Sequence, residues 1–213
     1  MKLYSYYRST AAYRVRIAMQ YKKLGYEYIP VNLLAGEQRE KNFSQVNPQG
    51  RVPTLVDGDF VLGQSMTILE YLEECYPAPA LLPKDPKARA WIRWFSQIIA
   101  CDIHPLNNTS ILKYLREPLG HNDEQVQQWY HHWLKQGFDA LEELLRTNLD
   151  RKNYCWGDSV TFADVCLIPQ VYNAHRFKFP MNNYPLINQI NDFCLTLPYF
   201  EKARPENQPD ARD

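Results

Sequence analysis

The stretch Val52-Pro53-Thr54-Leu55-Val56-Asp57-Gly58-Asp59-Phe60-Val61-Leu62 decides the fold class. Two alternating runs flank Asp57-Gly58, and Asp-Gly in that setting predicts a β-hairpin. Ser65, just beyond, predicts the cap of a helix whose apolar residues are Ile68, Leu69, Leu72 and Tyr76. Upstream, Lys2 to Tyr6 is a short β-prone run, and Ala11, Val15, Ala18 and Met19 recur at helical spacing. Lys23-Leu24-Gly25 supplies a helix stop, Tyr26-Glu27-Tyr28-Ile29 with Val31 reads as a second strand, and the polar residues 37–45 as a short helix. The order is β-α-β-α-β-β-α, an α+β unit.

That unit should end where residues 77–86 read Pro-Ala-Pro-Ala-Leu-Leu-Pro-Lys-Asp-Pro, because proline excludes both helix and central strand. The expected domains are 1–82 and 88–213, the second all-helical. Trp91, Trp94, Phe95, Ile98 and Ile99 form one core stripe there. Val126, Trp129, Trp133, Leu134, Phe138, Leu141, Leu144 and Leu145 form another. Thr161-Phe162-Ala163-Asp164 has capping-box spacing, with Val160 and Val165 at the staple positions, which predicts a buried helix beginning at residue 162. Residues 198–213, rich in proline and charge, read as a surface tail.

Composition narrows the function classes. Lys+Arg and Asp+Glu both total 24, so the net charge is zero and leaves no footprint for nucleic acid or an anionic membrane. No apolar run approaches the ~18 residues of a membrane span, and Met1 to Arg8 has no signal-peptide core. The five cysteines are odd in number and widely spaced, with no C-x-x-C, so a disulfide framework and a thiolate zinc site are not expected. A reducing cytoplasm and burial of these thiols are expected instead. The histidines lack ligand spacing with acidic residues, so no metal is expected.

Chemistry is expected at the turn Tyr7-Arg8-Ser9-Thr10-Ala11-Ala12, where the first helix begins. A helix N-terminus carries partial positive charge and free amides, and holds an anion, including a thiolate. The turn has no cysteine, so a thiol used there must arrive with a ligand. Read on the residues alone, Ser9 and Thr10 are first of all helix caps. Pro53, if cis, would turn backbone groups outward toward an extended peptide; an ordinary trans proline is the alternative. Gln64-Ser65, at a second helix start, suits a carboxylate or acts only as a cap.

These residues also carry a family resemblance. Arg8-Ser9-Thr10-Ala11-Ala12-Tyr13-Arg14-Val15-Arg16-Ile17-Ala18 resembles the signature of zeta-class glutathione transferases. Asn47-Pro48 with Val52-Pro53-Thr54-Leu55, Gln64-Ser65, Ile103-His104-Pro105-Leu106-Asn107-Asn108, Gly157-Asp158, Arg176-Phe177 and Gln208-Pro209-Asp210 extend it along nearly the whole chain. The resemblance implies a thioredoxin-like glutathione domain followed by an all-α domain, usually as a homodimer. It implies glutathione as cofactor and cis–trans isomerisation of maleylacetoacetate to fumarylacetoacetate, in tyrosine and phenylalanine breakdown. Maleylpyruvate, or conjugation and dehalogenation of small halo-acids, is the alternative chemistry; a non-enzymatic binding module is the third reading.

The roles it implies are specific. Ser9 donates to the glutathione sulfur, with Tyr6 or Tyr7 as competitors. Val52 and cis Pro53 pair with the cysteinyl part, and Gln64 and Ser65 hold the γ-glutamyl end. Asp102, His104 and Asn108 approach glutathione, Asp102 that of the partner subunit. Arg8 and Arg176 bind substrate carboxylates. Arg14 and Arg16 read as structural. Two departures bear on the substrate: Ala11 replaces the family cysteine, and Thr109-Ser110 replaces arginines of the maleylpyruvate relatives.

Overall fold

Alternation of short β-prone runs with one amphipathic helix builds a four-stranded sheet in the first unit. The computed structural model describes residues 1–211. Strands β1 (Lys2–Ser5), β2 (Glu27–Pro30), β3 (Thr54–Asp57) and β4 (Phe60–Gly63) lie in the order β2-β1-β3-β4. β1 runs parallel to β2 and antiparallel to β3, which is antiparallel to β4. Helix α1 (Thr10–Tyr21) makes the crossover from β1 to β2; a 3₁₀ turn at Glu37–Arg39, α2 (Lys41–Ser44) and, after the hairpin, α3 (Ser65–Cys75) complete the expected order. The hairpin turn falls one residue later than the sequence suggests. Asp57 pairs with Phe60, and Gly58 (φ +58°) supplies the positive φ at the first of two turn residues.

α1 stops where expected, within Lys23-Leu24-Gly25. Lys23, not Gly25, takes the left-handed conformation (φ +56°), and Leu24 N–H reaches back to Met19 O at 2.9 Å. Lys22 Nζ then bonds Glu73 at 2.7 Å, Tyr76 O at 2.6 Å and Pro79 O at 2.9 Å, in a site closed to solvent. This ties the end of α1 to α3 and to the proline-rich segment.

The chain divides after Leu81, inside the proline-rich segment, and the second unit runs from Leu82 to Cys194. Here the expected boundaries need correction. From Leu195 onward the described chain returns to the first unit, so 88–213 is not one domain and residues 198–211 are no surface tail; positions 212 and 213 of that expectation lie outside the described residues. Helix α9 (Pro198–Ala203), numbered after the helices of the second unit, buries Phe200 and Ala203, and Arg16 Nε bonds Ala203 O at 3.0 Å.

The second unit holds α4 (Pro86–Gln97), a π-helical turn at Ile98–Ile103, α5 (Thr109–Arg116), α6 (Asp123–Thr147), α7 (Phe162–Arg176) and most of α8 (Pro185–Leu195). α7 starts at residue 162, as the spacing predicts. Asp164 accepts from Thr161 N (2.8 Å), Thr161 Oγ1 (2.9 Å) and Cys155 N (2.7 Å), while burial pushes its carboxyl pKa up. Phe95, Ile99, Ile103, Leu134, Phe138, Leu141 and Leu145 form the core, but Trp94 does not: it is 54% exposed. Cys155, Cys166 and Cys194 are buried, whereas Cys75 and Cys101 are exposed. No helix among the described residues is long and apolar enough to cross a membrane.

Candidate active site

Ser9 is the N-cap of α1, with extended backbone (φ −71°, ψ 112°) and Oγ accepting from Ala12 N at 3.2 Å. The hydroxyl proton has no acceptor among the described residues. One oxygen thus closes the helix and keeps a donor in reserve, beside the partial positive charge of the α1 N-terminus. Arg8 is half-buried, its guanidinium 4.9 Å from the Tyr7 ring centroid, with no carboxylate partner among the described residues. Ala11 is half-buried and offers no polar group.

The turn carrying these residues is gripped from below. Arg14 and Arg16 are 1% and 0% exposed, which places them in the core. Arg16 donates to Ser5 Oγ (3.2 Å), Tyr6 O (3.4 Å) and Tyr7 O (3.0 Å). Burial draws its pKa down. Tyr6 and Tyr7 pack edge to face in a cluster with Val31, Phe43 and Val52. The same cluster therefore sets both the Ser9 turn and the loop that leads into β3.

Val52-Pro53 is cis. The Val52 N–H and C=O take no partner among the described residues, leaving a donor and an acceptor for an extended peptide backbone. Asn47 fixes that loop, Nδ2 donating to Arg51 O and Thr54 Oγ1, each at 2.9 Å.

Ser65 corrects one expectation. It is the first residue of α3 rather than its cap, and its Oγ accepts from Arg14 Nη1 at 3.2 Å. Gln64 takes the cap position with φ +64°, a conformation that costs a non-glycine residue roughly 1–3 kcal/mol and concentrates at ligand sites. Its side chain bonds Gln49 Oε1 at 2.9 Å, so no side chain caps the first-turn amides of α3.

Arg8, Ser9, Val52, Pro53, Gln64 and Ser65 thus belong to the first unit, and Asp102, His104, Asn108 and Arg176 to the second. Asp102 is exposed in the π-helical turn. His104 closes that turn, its N–H bonding Ile99 O at 2.9 Å. π-helical turns recur at functional sites. Asn108 caps α5, its Oδ1 accepting from Ser110 N (3.0 Å) and Oγ (2.8 Å). Arg176 ends α7 exposed, 5.2 Å from the Phe177 ring centroid.

The residues present in the first unit fit a peptide thiol: a free hydroxyl donor at a helix start, an unpaired backbone edge at Val52 and uncapped amides at Ser65. Sequence reasoning missed two parts of this site. Asp210 accepts from Tyr7 N at 3.0 Å and Tyr28 OH at 2.5 Å, and Arg14 holds Ser65. Gln208-Pro209-Asp210 was the available signal for the first.

Comparison with known proteins agrees with this geometry. A family model for the glutathione S-transferase N-terminal domain matches residues 1–74. The maleylacetoacetate isomerase of Pseudomonas aeruginosa is 49% identical over 214 residues, 99% of each chain. The holo structure of a maleyl pyruvate isomerase, a bacterial zeta-class glutathione S-transferase, matches with a TM-score of 0.98 at 44% identity over 100% of both chains. A maleylacetoacetate isomerase from Methylobacterium extorquens AM1, with bound malonate and GSH, matches with a TM-score of 0.96 at 38% identity over 100% of both chains.

Proposed function

The chain belongs to the zeta-class glutathione transferase family, and from that premise we propose that it is a glutathione-dependent cis–trans isomerase converting maleylacetoacetate to fumarylacetoacetate. The observation that carries this reading is Ser9, whose hydroxyl proton is uncommitted at the α1 N-terminus. Bound glutathione supplies a sulfur whose bond to one alkene carbon forms and later breaks, so the bond between the two carbons is single while it rotates.

The chain's residues make that possible. Ser9 and the α1 dipole favour an ionised thiol over its free pKa of ~8.5. Val52 would hold the cysteinyl backbone beside Pro53, and Gln64 with the first-turn amides of α3 the γ-glutamyl carboxylate. Arg8, without an anionic partner of its own, would take a substrate carboxylate and the charge that develops along the conjugated chain. Arg176 is the second arginine assigned to substrate. Asp102, His104 and Asn108 are assigned to glutathione, Asp102 to that of the partner subunit in a cytoplasmic homodimer.

Maleylpyruvate is the second substrate reading, supported by Ala11 at the family's cysteine position. Thr109-Ser110 weighs against it, since these residues offer hydroxyls where a guanidinium would grip a carboxylate. An ultraviolet pH titration of chain-bound glutathione, followed by each diketo acid and a halo-acid in parallel arms, tests the proposal. Thiolate should form below the pH of free glutathione, and maleylacetoacetate should turn over fastest. An undepressed thiol pKa would remove the activating role of Ser9. Faster maleylpyruvate turnover would change the substrate.

A further inference from the structure

Tyr7, two residues before Ser9, is held through both of its backbone polar groups. Its N–H donates to Asp210 Oδ2 at 3.0 Å, and its C=O accepts from Arg16 Nη2 at 3.0 Å. The preceding carbonyl, Tyr6 O, accepts from Arg16 Nη1 at 3.4 Å and from Ser9 N at 2.9 Å. The Tyr6–Tyr7 peptide group therefore has an anion on its N–H and a cation on its C=O, which polarise it in the same sense, so each bond strengthens the other. Arg16 is 0% exposed and, among the described residues, takes only neutral acceptors directly, including Ala203 O at 3.0 Å. Asp210 is a carboxylate within its electrostatic reach. Tyr28 OH fixes Asp210 from the other side at 2.5 Å, and Ala211 packs on the cluster of Tyr6, Tyr7 and Val52.

We infer that Asp210 and Arg16 are positioning residues for the Arg8-Ser9 turn, which makes the C-terminal segment a working part of the thiol-activating site. The inference rests on the glutathione-dependent reading above. Neither residue touches the reacting atoms; each sets where the Ser9 hydroxyl and the first amides of α1 point.

The sign of one measurement separates positioning from simple charge. By Coulomb's law alone, removing a nearby carboxylate lowers a thiol pKa. Loss of the grip on Tyr7 withdraws Ser9 from the sulfur and raises it. The pKa of bound glutathione is therefore titrated in wild type, Asp210→Ala, Asp210→Asn and Lys22→Met, with kcat and KM measured beside it. Asp210→Ala should raise the thiol pKa by about one unit and lower kcat roughly tenfold, with KM for the diketo acid little changed. Asp210→Asn keeps an oxygen for Tyr7 N–H and should leave the thiol at or below its wild-type value. Lys22→Met, which breaks the buried pair at the far end of α1, should lower the melting temperature and leave the thiol pKa unchanged.

An unchanged or lowered thiol pKa in Asp210→Ala overturns the inference, as does an equal rise in Lys22→Met. Should Asp210→Ala not fold, Tyr28→Phe replaces it: a smaller rise supports positioning, and none overturns it. A wild-type chain that binds no glutathione would overturn the functional reading and this inference together, whereas unmoved variants on an active wild type overturn the inference alone.

Discussion

In the proposed reaction Ser9 would serve stability and chemistry through one atom. Its Oγ accepts from Ala12 N, which leaves the proton to be donated. Ser9→Ala removes both functions, with unequal consequences. Loss of a serine cap costs about 1 kcal/mol, too little to unfold the chain. Loss of a preorganised donor lowers turnover ~10²-fold or more. Thermal melts and steady-state kinetics on the same preparation should show that separation. Arg8→Ala should likewise reduce turnover without unfolding, since Arg8 makes no ion pair among the described residues. Arg14 and Arg16, neighbours in sequence to this site, answer to a different logic. They are charged yet buried, and their worth lies in the backbone and side-chain oxygens they hold.

At the scale of elements, local signals were readable in the sequence and long-range ones were not. The Asp-Gly hairpin and the Thr161–Asp164 start of α7 depend on residues a few positions apart, and both form. Ser65 looks like a cap because nothing local reveals that Arg14 will claim its hydroxyl. Trp94 looks like core because helical spacing alone does not say how wide the buried stripe is. The π-helical turn was invisible for a related reason: it is set by packing against α6. A Cβ on Gly137 would lie 2.2 Å from Ile103 Cδ1 and 2.3 Å from its Cγ1. Ile103 is fully buried, so its side chain would have to repack within the core to make room. Gly137→Ala should therefore destabilise the helical unit by roughly 1–3 kcal/mol, as overpacked cores do. A urea melt would measure this, and an unchanged midpoint would show that the turn yields freely. Asp102 and His104, which the proposed function assigns to glutathione, ride on the same turn, so on that proposal glutathione affinity in this variant should also fall.

For the whole molecule, the phenols set an alkaline limit. Burial raises the pKa of Tyr13, Tyr28 and Tyr130, and Tyr28's bond to Asp210 raises it further. Each keeps its proton in the folded chain at a pH where the unfolded chain, with tyrosines near ~10, has lost it. Unfolding then releases protons, so stability intact below ~10 falls as pH rises beyond it. Urea midpoints compared at about pH 8 and about pH 10.5 should show the drop, and Tyr13→Phe should shrink it. The division into units was only half legible. The prolines of residues 77–86 mark the break after Leu81, but Arg16 to Ala203 and Tyr7 to Asp210 join residues 187 and 203 positions apart. No periodicity reports such a closure.

The return of the chain to its first unit has a consequence for biosynthesis. The helical unit is continuous in sequence and can finish folding while translation is still under way. The unit made first cannot complete its contacts until Ala203 and Asp210 have followed the helical unit out of the ribosome. A nascent chain stalled before them would carry a complete set of strands and an unanchored turn.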